Sequence, residues 1–244
     1  LPAYHNLLTG IETGCRNNDC PRVSVETFPE RLLRELVLKR EEVAVFASWD
    51  KLRLSVEKRE GMLQVSAGPD PKNAEQPPWA ESRLDKYTWE AAMGYLKTKH
   101  PRFLYISLVD TDEWGHQGRY DEYVKSMRVY DQWFLELFHV LDQMGSYGKS
   151  TSVLISTDHG RGSGTNWLYG WKRHGPEIPA SRFVWLYGST PALRVRPVQT
   201  VSKRKILNAA QPYSHADIRP TIEALMGLKP QPGPGRVIQE LLLP

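Results

Sequence analysis

Cysteine is scarce in this 244-residue sequence, which contains only Cys15 and Cys20. Structural zinc sites built from thiolates usually use more closely spaced pairs and four ligands, so a cysteine zinc site is not predicted. Two nearby cysteines can form a small-loop disulfide in an exported protein, or they can remain free thiols. We favour the disulfide, which predicts a periplasmic or secreted protein.

The sequence also lacks any apolar stretch near the roughly 20 residues that span a bilayer, so no membrane span is predicted. Its formal net charge is +4 and its pI is about 9.0. The basic clusters, Lys172-Arg173 and Lys203-Arg204-Lys205, are short and do not alternate with aromatic residues, so a nucleic-acid partner is not predicted. The positive charge indicates either an ordinary basic surface or a site for anionic substrates.

Internal repeats and convincing linkers are absent as well, which predicts a single domain over residues 1–244. Apolar runs predict strands at 43–47, 103–109, 152–156 and 183–187. Helical spacing of apolar residues predicts helices at 28–40, 86–99, 120–144 and 216–226. Glycine and proline indicate a loop over 58–79. Alternating strands and helices are typical of an α/β fold with a mostly parallel sheet and helices on both faces.

Polar motifs follow two of the predicted strands. Asp158 and His159 come directly after strand 152–156, and Asp112 and His116 follow strand 103–109. His174 lies in the loop that leads to the last predicted strand. Because sites in open α/β sheets form at the carboxyl ends of strands, these residues can converge on one edge. Carboxylate oxygens and imidazole nitrogens suit zinc, and five such ligands supply most of a two-metal site for phosphoryl transfer.

The motifs, taken in order, resemble those of the alkaline phosphatase superfamily, nearest to its nucleotide pyrophosphatase/phosphodiesterase-like branch. Asp112-Glu113-Trp114-Gly115-His116 resembles the family's Asp-x-x-Gly-His motif, and Thr157-Asp158-His159-Gly160 resembles its Ser/Thr-Asp-His-Gly motif. His174-Gly175-Pro176 resembles its third histidine motif. Residues 1–10 resemble the start of the family's nucleophile helix, and residues 217–227 resemble its late helix.

This resemblance implies two zinc ions and a small-molecule phosphate ester as substrate. Asp112, His116 and His174 would hold one zinc, and Asp158 and His159 would join the second. In the family, a Ser or Thr nucleophile precedes a segment like Leu1-Pro2-Ala3-Tyr4, and an Asp after an earlier strand completes the second site. Both positions fall before Leu1, so no catalytic nucleophile is assigned. We therefore expect an alkaline phosphatase-like domain that is incomplete at its N-terminus.

Several residues keep alternative interpretations. Asp110 competes with Asp112, although the Gly-His spacing favours Asp112, and His215 competes with His174. Asn18 is predicted to contact the substrate phosphate; with Asn17, it can instead form an ordinary turn. Arg161 and Lys172 bind substrate anions or are solvated. One group of aromatic residues lines a substrate pocket or packs in the core; it consists of Trp167, Tyr169 and Trp171.

Two rival functions remain open from the sequence. One is sulfatase or phosphonate hydrolase activity on the same fold. The other is a non-enzymatic module that keeps metals for stability.

Overall fold

The computed structural model describes residues 1–165, 170–194 and 213–242. The strands in these residues are β1 (Val43–Ala47), β2 (Gln64–Ala67), β3 (Phe103–Ser107), β4 (Val153–Ser156) and β5 (Leu186–Ser189). The longer α-helices are α1 (Pro2–Thr9), α2 (Phe28–Glu35), α4 (Asp85–Lys99), α5 (Asp110–Gln117), α6 (Tyr120–Gln143) and α9 (Ile218–Leu225). The shorter ones are α3 (Arg53–Val56), α7 (Gly145–Ser150) and α8 (Pro191–Arg194).

Strand β1 is the centre of a three-stranded parallel sheet with the order β2-β1-β3. Val45 pairs with Val65 on one side and with Tyr105 on the other. All five residues of β1 are buried. A strand that is apolar along its whole length is typical of a parallel sheet covered on both faces, because neither face meets water.

Alternate side chains of β1 enter two different cores. Val45 and Ala47 pack with Leu8 of α1 and with Phe28 and Leu32 of α2. On the opposite face, Ala44 and Phe46 pack with Ala92 of α4. Successive side chains of a strand point to opposite faces, so the helices lie on both sides of the sheet. This arrangement confirms the α/β class expected from the sequence.

Strands β4 and β5 form a separate antiparallel pair. Val153 and Ile155 of β4 pack against the same helices as Leu104 and Ile106 of β3, in a core that contains Trp89 of α4 and Leu141 of α6. The two sheets therefore share one helical layer. Among the described residues, β3 pairs only with β1 and is therefore an edge strand. Four of its five residues are half-buried.

Several elements differ from the predictions; strand β3 ends at Ser107 rather than at residue 109, and helix α9 begins at Ile218 rather than at residue 216. Helix α2 ends at Glu35 rather than at residue 40, because Val37 has a left-handed φ of 52° and is 88% exposed. The predicted loop 58–79 contains β2. The last strand begins at Leu186, after a 3-10 turn at Pro179–Arg182. Gly145 ends α6 but begins α7.

Cys15 and Cys20 are joined by a disulfide with their Cα atoms 5.6 Å apart. The helices of the described residues offer no segment with the length and hydropathy of a membrane span.

Candidate metal centre

The first part of the site is built on α5, which begins three residues after β3 ends. Asp112 and His116 are four residues apart, and this spacing places both side chains on one face of a helix. His116 Nε2 lies 3.3 Å from Asp112 Oδ2. The Asp-x-x-Gly-His motif is therefore helical, and the helix itself brings its two end residues together.

Two further side chains, His174 and His159, converge on Asp112. His174 Nε2 lies 2.9 Å from His116 Nε2 and 3.6 Å from Asp112 Oδ1. His159 Nε2 lies 3.7 Å from the same carboxylate oxygen. The rings of His159 and His174 are stacked, with centroids 3.7 Å apart. Asp112, His159 and His174 offer donor atoms that all lie within 4.8 Å of one another.

Asp158 lies beside this cluster and faces a second group of residues. Its Oδ2 is 3.5 Å from His159 Nε2, and its Oδ1 accepts a hydrogen bond from the His159 backbone N–H at 3.0 Å. Asp158 is also hydrogen-bonded to the phenol of Tyr4 in α1. Burial, followed by the negative charge of Asp158, raises the pKa of the Tyr4 and Tyr105 phenols. The family resemblance had already associated the segment that contains Tyr4 with the second metal site, whereas Tyr105 was not singled out from the sequence.

The ring nitrogens of the cluster are suited to bind a cation. Because a carbonyl oxygen can only accept, His159 Nδ1–H donates to the Gly160 carbonyl at 3.0 Å, which leaves the Nε2 lone pair free. Burial, followed by the charge of His159, lowers the pKa of His174 to about 4, so this ring is neutral at pH 7. Burial alone would raise the pKa of Asp112, but the hydrogen bond from His116 and the neighbouring imidazoles lower it well below its usual range.

Arg161 joins the cluster to the chain around Trp171. Its Nη1 donates to Asp112 Oδ1, its Nε donates to the Trp171 carbonyl at 2.8 Å, and its Nη2 donates to the Lys172 carbonyl at 3.0 Å. Gly115 lies directly against this guanidinium: a Cβ at that position would be 2.6 Å from Arg161 Cζ. The glycine of the motif is therefore needed for this close approach. Arg161 is engaged with Asp112 rather than simply solvated.

A buried carboxylate that the sequence did not reveal holds the start of α5. Asp85 is fully buried and accepts hydrogen bonds from the backbone N–H groups of Val109 at 2.8 Å and Asp110 at 2.7 Å. The hydroxyls of Ser48 and Tyr130 also donate to it. An aspartate at the first position of a helix is ordinary in a sequence, so nothing marked Asp85 as special.

Asp110 belongs to this buried network and not to the imidazole cluster. Its Oδ1 accepts a hydrogen bond from the Asp85 backbone N–H at 3.2 Å. Burial, followed by the charge of Asp85, raises the pKa of Asp110 to about 8. Of the two competing aspartates, Asp112 is the one that the structure brings to the histidines.

The remaining predicted residues have the following positions. His215 Nε2–H donates to the Thr157 carbonyl at 2.7 Å, next to Asp158. Asn18 is exposed, and its Oδ1 accepts a hydrogen bond from the Leu1 nitrogen at 2.6 Å. Lys172 packs against Gly118 at the end of α5. Trp167, Tyr169 and the Lys203-Arg204-Lys205 cluster lie outside the described residues.

A cleft of about 590 Å³ opens beside the cluster. Its lining includes His116, Trp171, Lys172 and Arg173. The site is therefore open on the His116 side.

Comparison with solved structures gives a match to a phosphonate monoester hydrolase from Silicibacter pomeroyi, with a TM-score of 0.57 and 14% sequence identity. The match covers 99% of this chain and 66% of that chain, so this chain spans a little under two thirds of its length. At this identity the likeness shows the fold, and it confirms the predicted alkaline phosphatase-like α/β fold. No protein-family model matches the sequence, and no curated protein matches it.

Proposed function

We propose that the protein is a zinc-dependent hydrolase of small-molecule phosphate esters. The observation that carries this proposal is the convergence of Asp112, His116, His159 and His174, which come from three separate segments of the chain. A carboxylate and three imidazoles that converge in this way offer the ligand types that zinc prefers. The shared fold with a named phosphonate monoester hydrolase supports the hydrolase class.

The donor atoms fit zinc. Zinc prefers imidazole nitrogen and carboxylate oxygen in sets of three or four, with one position open in catalytic sites. Asp112, His116 and His174 would hold one ion, while Asp158 and His159 would contribute to a second. Zinc supplies Lewis acidity, which stabilises the charge that develops on ester oxygens, and it makes water acidic enough to act as a nucleophile at neutral pH.

The chain's own residues would orient the reaction. Arg161 holds the Asp112 carboxylate, and the Gly160 carbonyl fixes the His159 ring with Nε2 facing the cluster. Tyr4, in the first turn of α1, is hydrogen-bonded to Asp158. A residue that precedes α1 would therefore lie on the Asp158 side of the site. We propose that a Ser or Thr there is the nucleophile that attacks phosphorus, and that Asn18 contacts the phosphate.

A phosphonate monoester is the second candidate substrate, and the name of the structural neighbour favours it. A phosphonate differs from a phosphate in one P–C bond, which the reaction leaves intact, so the same ligands and the same nucleophile would serve both esters. Sulfate esters are the third class of substrate to test, because sulfatase activity is one of the rival functions that the sequence left open.

The test uses the full-length protein, loaded with zinc, and a panel of 4-nitrophenyl esters: phosphate, phosphodiester, phenylphosphonate and sulfate. We expect hydrolysis of at least one phosphorus ester and the loss of that activity in His116→Ala. The matched control is His139→Ala, because His139 is exposed on α6 and bonds only to Gln143 among the described residues. A wild-type protein that binds zinc but turns over none of the panel would support the non-enzymatic alternative.

We further propose that the protein is periplasmic or secreted, because its two cysteines are paired in a short loop and disulfides persist in oxidising compartments. Fractionation of the source cells tests this proposal. Recovery in the cytoplasm with both thiols reduced would contradict it.

A further inference from the structure

We infer that the cleft beside His116 binds the leaving group of the ester and that this group is aromatic and negatively charged, an inference that rests on the proposed function. The cleft is lined by His116, which would hold the zinc that stabilises the leaving oxygen. Trp171, Lys172 and Arg173 also line it.

The position of the cleft argues for the leaving group rather than the other phosphorus substituents. In phosphoryl transfer the attacking and leaving oxygens lie roughly in line with phosphorus. The proposed nucleophile would precede α1, and Tyr4 in the first turn of that helix is hydrogen-bonded to Asp158. His116 belongs to the other half of the cluster, with Asp112 and His174. A leaving group that departs toward His116 therefore enters this cleft.

The wall of the cleft provides an aromatic surface in a fixed orientation. The Trp171 indole packs edge to face on Tyr120, with centroids 5.4 Å apart, and on Tyr123, with centroids 5.9 Å apart. Arg161 donates to the Trp171 carbonyl and also to Asp112, so the wall and the metal cluster are held by the same guanidinium. Ring stacking on a preoriented indole favours a planar aromatic group.

The charges of the cleft favour an anion on that group. Lys172 and Arg173 are exposed side by side at the cleft. Within the part of the chain that the structure describes, neither forms an ion pair with a carboxylate. Two cations beside an indole attract a ring that carries a carboxylate or a second phosphate.

The experiment compares three monoesters that share the phosphate and differ in the leaving group: butyl phosphate, phenyl phosphate and 4-carboxyphenyl phosphate. Each is assayed with the full-length protein and with Trp171→Ala, Trp171→Phe and the double variant Lys172→Gln/Arg173→Gln. Intrinsic reactivity differs among the esters. The readout is therefore the ratio of variant to wild-type kcat/KM for each one, in which that difference cancels.

We expect Trp171→Ala to lower kcat/KM for both aryl esters about fivefold and to leave butyl phosphate nearly unchanged, with Trp171→Phe retaining most of the wild-type value. The double variant should lower kcat/KM about fivefold for 4-carboxyphenyl phosphate only, and added salt should remove this difference. Trp185→Ala is the control, because Trp185 is 52% exposed and does not line the cleft.

The outcomes separate the two proposals. One outcome overturns the leaving-group site but not the hydrolase: the wild type hydrolyses the esters, and each Trp171 variant lowers kcat/KM equally for all three. Circular dichroism checks that these variants remain folded. If the wild type hydrolyses no phosphorus ester, the proposed function fails. A line-broadening titration of 4-hydroxybenzoate, the product of the third ester, gives a second readout: binding that Trp171→Ala weakens supports the cleft, and unchanged binding overturns it.

Discussion

The Nε2 atoms of His116 and His174 lie 2.9 Å apart, although the two residues are 58 positions apart in the chain. The Asp112 carboxylate is within 3.3 Å of one ring and 3.6 Å of the other. Two imidazole nitrogens and a carboxylate oxygen therefore lie close enough together to be ligands of one cation.

Replacement of His174 by alanine should lower the affinity for zinc at least tenfold, because the ion loses one imidazole ligand while Asp112 and His116 remain. The measurement is a competitive titration of metal-free protein with a chromophoric zinc chelator. His139→Ala removes an exposed imidazole from α6 and should leave the affinity unchanged. Equal affinities for wild type and His174→Ala would remove His174 from the ligand set.

Replacement of Asp85 by asparagine should lower the free energy of unfolding by about 2–4 kcal/mol, because a buried acceptor of four donors loses its charge and part of its acceptor capacity. Since two of those donors are at the start of α5, zinc affinity should fall as well. Urea unfolding measures the first effect and chelator competition the second. Asp142→Asn, at an exposed position near the end of α6, is the control and should be neutral. A stable Asp85→Asn protein with normal zinc affinity would show that Asp85 does not position the site.

Replacement of Gly115 by alanine should destabilise the protein by about 1–3 kcal/mol, because the new methyl group would overlap the Arg161 guanidinium. The displaced guanidinium should also release Asp112 and weaken zinc binding. Gly94→Ala is the matched control, since a Cβ there meets nothing within 4 Å and the position is exposed in α4. That variant should be more stable by about 0.5–1 kcal/mol. If both alanine variants behave alike, the contact between Gly115 and Arg161 has no energetic role.

Reduction of the Cys15–Cys20 bond should cost at most about 2 kcal/mol, because the closed loop is short and little chain entropy is removed by closing it. The intact mass before and after reduction shows whether the disulfide is present. Thermal unfolding of the oxidised and the reduced protein measures the contribution of the disulfide to stability. An unreduced protein that reacts with two equivalents of a thiol reagent would contradict the pairing.

Two aspartates of the candidate site could be predicted from the sequence because each follows an apolar run. Asp112 and Asp158 come after apolar runs that form β3 and β4, and the carboxyl ends of such strands are where sites form. Their convergence with His174 did not follow from local pattern alone. It was expected from the family resemblance, and it is visible in the distances of the folded chain.

Other features could not be read from local sequence, because they depend on tertiary contacts. The ion pair between Arg161 and Asp112 joins residues 49 positions apart, and nothing in either segment indicates it. Asp85 has the appearance of an ordinary helix-start residue, and only its burial shows that it organises α5. Helix α2 ends early because Val37 adopts a left-handed conformation, which the helical spacing of its neighbours does not reveal.

The most direct test of the central claim is the zinc content of the full-length protein, measured by elemental analysis after dialysis against a small excess of zinc. The account predicts up to two ions per chain for the wild type and the loss of one ion in the double variant His116→Ala/His174→Ala. A folded wild-type protein without zinc, or a double variant that retains the full wild-type content, would contradict it.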